Sequence, residues 1–117
     1  MKKESEAILL RIFIGETDEY KGKKLYEYIV RMLKREGVAG ATVLRGIEGF
    51  GKSSHLHTTS ILRLSTDLPI VIEVTDERDK IEEIKPKLDE MITEGLITEK
   101  KVKIISYEGN ETTIDED

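Results

Sequence analysis

The chain has 117 residues, 38% of them hydrophobic, enough for one core and too few for two domains of ordinary size. Its formal charge is -5, with 37% charged residues, 5% aromatics and no basic cluster, which argues against polymeric nucleic acid, whose phosphates call for Lys and Arg. Cysteine is absent, excluding disulfides and thiolate metal sites, and no apolar run is long enough to span a bilayer or to serve as a signal peptide, so a cytoplasmic protein is expected. Glutamine is also absent and Asn110 is the single asparagine, a composition that avoids heat-labile amides and fits a thermophilic source.

In chain order, Ala7 to Ile14 reads as a strand with apolar residues on both faces apart from Arg11, as a strand inside a covered sheet would have. After Gly15-Glu16-Thr17-Asp18, residues 22–36 place Leu25, Ile29, Met32 and Leu33 at helical spacing, with Gly37 as the stop. Ala41, Val43, Arg45 and Ile47 alternate with Thr42 and Leu44 as a second strand. A long polar connection, residues 48–67, follows and holds His55 and His57.

Pro69 to Thr75 is a third strand, and Asp76 is the expected N-cap of a second helix. That helix carries Ile81, Ile84, Leu88, Met91 and Ile92 on one stripe and ends near Gly95, with a kink or restart expected at Pro86. Val102 to Tyr107 alternates as a last strand. We expect one domain over residues 1–108 and a frayed acidic tail over 109–117. The order strand, helix, strand, strand, helix, strand gives a ferredoxin-like α+β sandwich, a four-stranded antiparallel sheet with both helices on one face. The first strand is apolar on both sides, so the other face also requires a cover, and self-association is the simplest one.

Residues Gly46-Ile47-Glu48-Gly49-Phe50-Gly51-Lys52-Ser53 satisfy the P-loop expression G-x-x-x-x-G-K-[ST]. A working P-loop needs a helix whose N-terminal amides meet the phosphates. Here Ser54-His55-Leu56-His57-Thr58-Thr59-Ser60 follows, polar and β-branched, without an apolar stripe. A small nucleotide hydrolase using Lys52, Ser53 and magnesium is therefore the alternative reading, and a module that binds a nucleotide without cleaving it is the leading one. Glycines permit close backbone approach and Arg45 can fork onto a phosphate, although the glycines can equally serve only to turn the chain. His55 and His57 supply too few ligands for a metal site and read as loop residues making local hydrogen bonds.

Several segments together, Gly15-Glu16-x-Asp18, Gly22-x-x-Leu25, the run from Gly40 to Gly51, His57-Thr58 and Asp67-Leu68-Pro69-Ile70-Val71-Ile72-Glu73, carry a family likeness over nearly the whole chain. The chain resembles the PII-like signalling proteins, specifically the small domain-of-unknown-function branch of that superfamily in bacteria and archaea. The resemblance implies a homotrimer, an adenine nucleotide bound in clefts between protomers, and a loop after the second strand that reports occupancy to a partner, with a membrane transport protein the partner class. It places Arg45, Gly46, Gly49, Phe50, Gly51 and Lys52 at the nucleotide, with Gly15, Glu16 and Asp18 beside it. Carboxylates repel phosphate, so these last would accept bonds from ribose or the adenine amino group, or cap a turn. The modified loop tyrosine and glycine-rich second loop of the better-known PII branch are not found here, which favours AMP or ADP over a triphosphate. No cofactor, metal or catalytic residue is expected.

Overall fold

A computed structural model describes residues 1–50 and 67–109 and, for the backbone only, 57–58. The elements in chain order are β1 (Lys2–Gly15), β2 (Glu19–Tyr20), β3 (Lys23–Lys24), α1 (Leu25–Arg35), β4 (Ala41–Arg45), β5 (Glu48–Gly49), β6 (His57–Thr58), β7 (Pro69–Asp76), α2 (Arg78–Met91) and β8 (Leu96–Tyr107). Four of them form one sheet in the order β4-β7-β1-β8, every pair antiparallel. This is the ferredoxin-like arrangement expected from the element order, with both helices packed on one face.

The core follows from the two periodicities. Ile8, Leu10, Ile12 and Ile14 of β1 and Ile70, Ile72 and Val74 of β7 point one way. They meet Leu25, Ile29, Met32 and Leu33 of α1 and Ile81, Ile84, Leu88 and Met91 of α2. Leu10, Ile12, Ile72 and Val74 have no exposed surface, and no polar or charged described residue is buried. Helix α1 stops where Gly37 predicts. Gly37 has φ +81°, its N–H donates to the Lys34 carbonyl (3.1 Å), and the Val38 N–H donates to the Leu33 carbonyl (3.1 Å), the paired bonds of a Schellman ending.

Several boundaries differ from expectation. Strands β1 and β8 are longer than expected, because polar residues 2–6 extend β1 at its start and residues 96–101 extend β8 at its start, giving a ladder from Lys2↔Tyr107 to Phe13↔Leu96. Strand β4 stops at Arg45, and Ile47 is left 74% exposed. Helix α1 begins at Leu25 because Lys21 and Gly22 both take positive φ, 52° and 81°, and turn residues 19–24 into a small hairpin. Asp76 is the last residue of β7 and does not cap α2, whose N-cap is Glu77. Its carboxylate instead accepts the N–H of Ala39 (2.9 Å) and of Glu77 (2.7 Å). Helix α2 runs through Pro86 without restarting, with Pro86 on its exposed side.

Candidate functional site

Gly15 is paired with Pro69 and Arg45 with Ile70, so the exit of β1, the end of β4 and the start of β7 meet at one end of the sheet. Residues 15–18 make a tight turn there. The Gly15 N–H donates to Asp18 Oδ2 (2.9 Å), the Asp18 N–H to the Gly15 carbonyl (3.2 Å), and the Leu25 N–H at the start of α1 to the Asp18 carbonyl (2.8 Å). Asp18 thus acts as the turn cap that its residue type allowed.

The same turn grips both flanks of the long connection. On the entry side, Arg45 Nη2 donates to Glu16 Oε2 at 2.5 Å. On the return side, the Glu16 N–H donates to the Leu68 carbonyl and the Thr17 N–H to Asp67 Oδ1, both at 2.8 Å. The Glu16 side chain is 17% exposed and that of Arg45 55%, so the carboxylate is mostly covered while the guanidinium keeps an open side.

Space is tight at the glycines of this sheet end. A Cβ on Gly46 would lie 2.7 Å from Pro69 Cγ, one on Gly49 3.2 Å from the same atom, and one on Gly15 2.7 Å from Asp67 Oδ1. The Gly46 N–H donates to the Pro69 carbonyl (2.7 Å), and Glu48 and Gly49 pair with Thr58 and His57 as the ladder of β5 and β6. The first glycine of the P-loop expression therefore spends its amide on the sheet, and the next residues run as a hairpin arm. A phosphate-binding loop opening a helix would instead leave such amides free. Phe50 is 75% exposed. Gly51, Lys52, Ser53 and His55 lie outside the described residues, as does the side chain of His57.

Of the nine residues picked out from sequence, seven are described. Gly15, Glu16, Asp18, Arg45, Gly46 and Gly49 come together at this sheet end, and exposed Phe50 follows Gly49 along the chain. Asp67, Leu68 and Pro69 lie at the same sheet end; in the sequence they carry part of the family likeness, but no site role was expected of them. Asp67 reads as an ordinary loop residue, and the signal available was its place two residues before a strand that starts beside Gly15. Among the described residues no group of three or more His, Cys, Asp or Glu is placed to hold a metal ion, and no helix is long and apolar enough to cross a membrane. A second cleft, lined by Glu6, Ile8, Arg78, Lys101 and Lys103, lies at the opposite end of the sheet. Its Arg78 is already paired with Glu82 (3.3 Å) and Glu99 (3.4 Å).

Comparison with known proteins agrees with this fold. The family DUF190, described as Uncharacterized ACR, matches residues 7–104. A UPF0166 protein of Aquifex aeolicus is 41% identical over 101 residues, covering 83% of this chain and 91% of that protein. Another, from Methanocaldococcus jannaschii, is 42% identical over 93 residues, covering 79% and 85%. Among solved structures, CPII of Thiomonas intermedia K12, a nitrogen regulatory PII-like protein bound to ADP, AMP and bicarbonate, superposes with a TM-score of 0.60 at 17% identity, covering 87% of this chain and 91% of that one. The chain belongs to the DUF190 family, and its fold is that of the PII-like proteins.

Proposed function

We propose that this protein is a PII-like regulator that binds an adenine nucleotide, AMP or ADP in preference to ATP, in clefts between the protomers of a cytoplasmic homotrimer. The half-exposed guanidinium of Arg45, held over a strand end where three glycines bring backbone close, carries the reading. A guanidinium forks onto two phosphate oxygens, and glycine lets the ligand approach the main chain. The adenine ligands of CPII support the base, and the part-covered apolar residues on the open sheet face support the trimer. Lys52 would add a charge to the phosphate and Phe50 would stack on the base or seal the protomer contact. The 48–67 connection, gripped at both flanks, is the segment whose position would report occupancy to a regulated protein, of which a membrane transport protein is one class.

Native mass spectrometry of the purified protein reports oligomer mass and any retained nucleotide together, and titration calorimetry with AMP, ADP and ATP follows. A trimer whose affinity falls about tenfold or more in Arg45→Ala, at unchanged mass, is the expected result. A monomer, or affinity unmoved by Arg45→Ala, would refute the site. Phosphate release that collapses in Lys52→Ala would make the protein a hydrolase instead.

A further inference from the structure

We infer that Glu16 is a specificity-determining residue that makes this site select nucleotides of low charge. The inference rests on the functional reading above and adds to it a residue with a defined electrostatic task.

Arg45 already has a carboxylate partner. Its Nη2 is bonded to Glu16 Oε2 at 2.5 Å, and Glu16 is fixed in place because its own N–H is bonded to the Leu68 carbonyl. The other two carboxylates at this sheet end differ in kind. Asp18 accepts the Gly15 N–H and Asp67 the Thr17 N–H, so each has a backbone amide to serve. Glu16 is bonded to Arg45, the group a phosphate needs.

A phosphate arriving at Arg45 meets one of two situations. Either it takes the guanidinium away from Glu16, which strands a carboxylate that is only 17% exposed. Or it bonds the remaining guanidinium N–H groups with Glu16 in place, which leaves a pair of no net charge facing an anion. In both cases each further negative charge on the ligand adds repulsion from Glu16, and Arg45 has no further charge to set against it. Among the described residues of this site the one guanidinium is already held by a carboxylate, so the discrimination runs against the triphosphate. Contacts to ribose or adenine do not produce this pattern, since those groups are the same in AMP and ATP.

The test is calorimetry of AMP and ATP without magnesium on the intact protein, Glu16→Gln and Glu16→Asp. Glutamine keeps an acceptor for Arg45 and removes the charge. We expect Glu16→Gln to raise ATP affinity by about tenfold and AMP affinity by about threefold or less, and Glu16→Asp to keep the original ranking. Equal changes for both nucleotides in Glu16→Gln mean that Glu16 only holds Arg45 in position, and overturn the inference. Should Glu16→Gln fail to fold, the intact protein supplies the answer. Magnesium, which cancels part of the triphosphate charge, must then tighten ATP more than AMP, and ATP binding more tightly than AMP in its absence overturns the inference. If the intact protein binds no adenine nucleotide at all, the functional reading itself fails, an outcome distinct from the others.

Discussion

On the side of the sheet turned to the helices, Leu10, Ile12, Ile72 and Val74 are without exposure. One residue along in the same two strands, Leu9, Phe13 and Val71 are only half-covered. Leu44 of β4 is 48% exposed and Leu96 of β8 59%, and among these apolar groups sits an ion pair, Arg11 Nε to Glu73 Oε2 at 2.7 Å. A strand with one wet face ordinarily alternates apolar with polar residues. Here β1 is apolar on both sides, and the helices account for one of them. The difference teaches that the sequence pattern of β1 encodes two covers, one supplied by its own chain and the other, on the proposed assembly, by neighbouring copies.

The comparison breaks most visibly if the two faces are truncated in turn. Leu10→Ala removes a fully buried side chain from the helix face and should cost about 3–5 kcal/mol in urea unfolding, with the assembly intact up to the transition. Phe13→Asp places a charge on the open face, where one protomer alone loses little. Its expected effect is on mass, which light scattering should find reduced toward the 13.3 kDa of a single chain. If Phe13→Asp leaves the mass unchanged, the open face is not the protomer contact.

Arg11→Ala sharpens the same contrast through its partner. Left in water, a pair such as Arg11–Glu73 is worth at most about 1 kcal/mol. Covered by another copy, loss of the arginine strands the Glu73 carboxylate and costs about 3–5 kcal/mol. Unfolding of Arg11→Ala, measured at concentrations where the protein is assembled and again at high dilution, should show the large cost only in the first case.

A smaller effect separates the two ends of the sheet. A methyl on Gly46 would lie 2.7 Å from Pro69 Cγ, whereas a Cβ on Gly40, where β4 begins, meets nothing within 4 Å. Gly46→Ala should therefore cost about 1–3 kcal/mol by forcing β4 from β7, and should weaken nucleotide binding too. Gly40→Ala should stay within about 1 kcal/mol of the parent and bind normally. Equal effects at the two glycines would mean that the site end is no more tightly built than the other.

What could be read in advance followed physical periodicity. The stripe Leu25, Ile29, Met32 and Leu33 and the alternation through Ile70, Ile72 and Val74 report burial directly, so helices and strands were legible, and the ferredoxin-like arrangement followed from their order along the chain. The hairpin at 19–24 was not, since its strands are two residues each and its one signal was a glycine after Lys21. Nor were the polar start of β1, residues 2–6, and the first half of β8, residues 96–101, because a ladder of backbone bonds needs no apolar side-chain pattern to announce it. At the site, Arg45 and Glu16 were each picked out for its own chemistry. Their bond joins residues 29 apart in sequence, and no local pattern encodes such a pairing. Asp76 shows the converse error. Its residue type suits an N-cap, but the fold brings the Ala39 amide to it, and a long-range donor displaced the local role.

The smallest expected effect concerns how α2 is tied to the edge strand. Lys85 Nζ lies 2.5 Å from Glu99 Oε1 and 2.8 Å from Glu82 Oε2, and Arg78 also reaches Glu99. The Lys85 bond holds the Glu99 carboxyl below its ordinary 4.5, with Arg78 adding to it and partial desolvation opposing. Bonds to Glu82 and then Glu99 hold Lys85 above its ordinary 10.5. A carboxyl whose folded value is depressed stabilises the fold above its unfolded value, and that contribution fades as pH falls through the folded one. A lysine whose folded value is raised stabilises below its unfolded value, and loses that contribution as pH rises through the folded one. The difference in unfolding free energy between the parent and Glu99→Gln should therefore be flat between about pH 4.5 and 10.5 and shrink on both sides. It should also shrink with added salt, since Glu99 is near water. A difference that stays constant into acid would mean that α2 and β8 are held by apolar packing, Ile97 against the core, with the surface charges contributing nothing measurable.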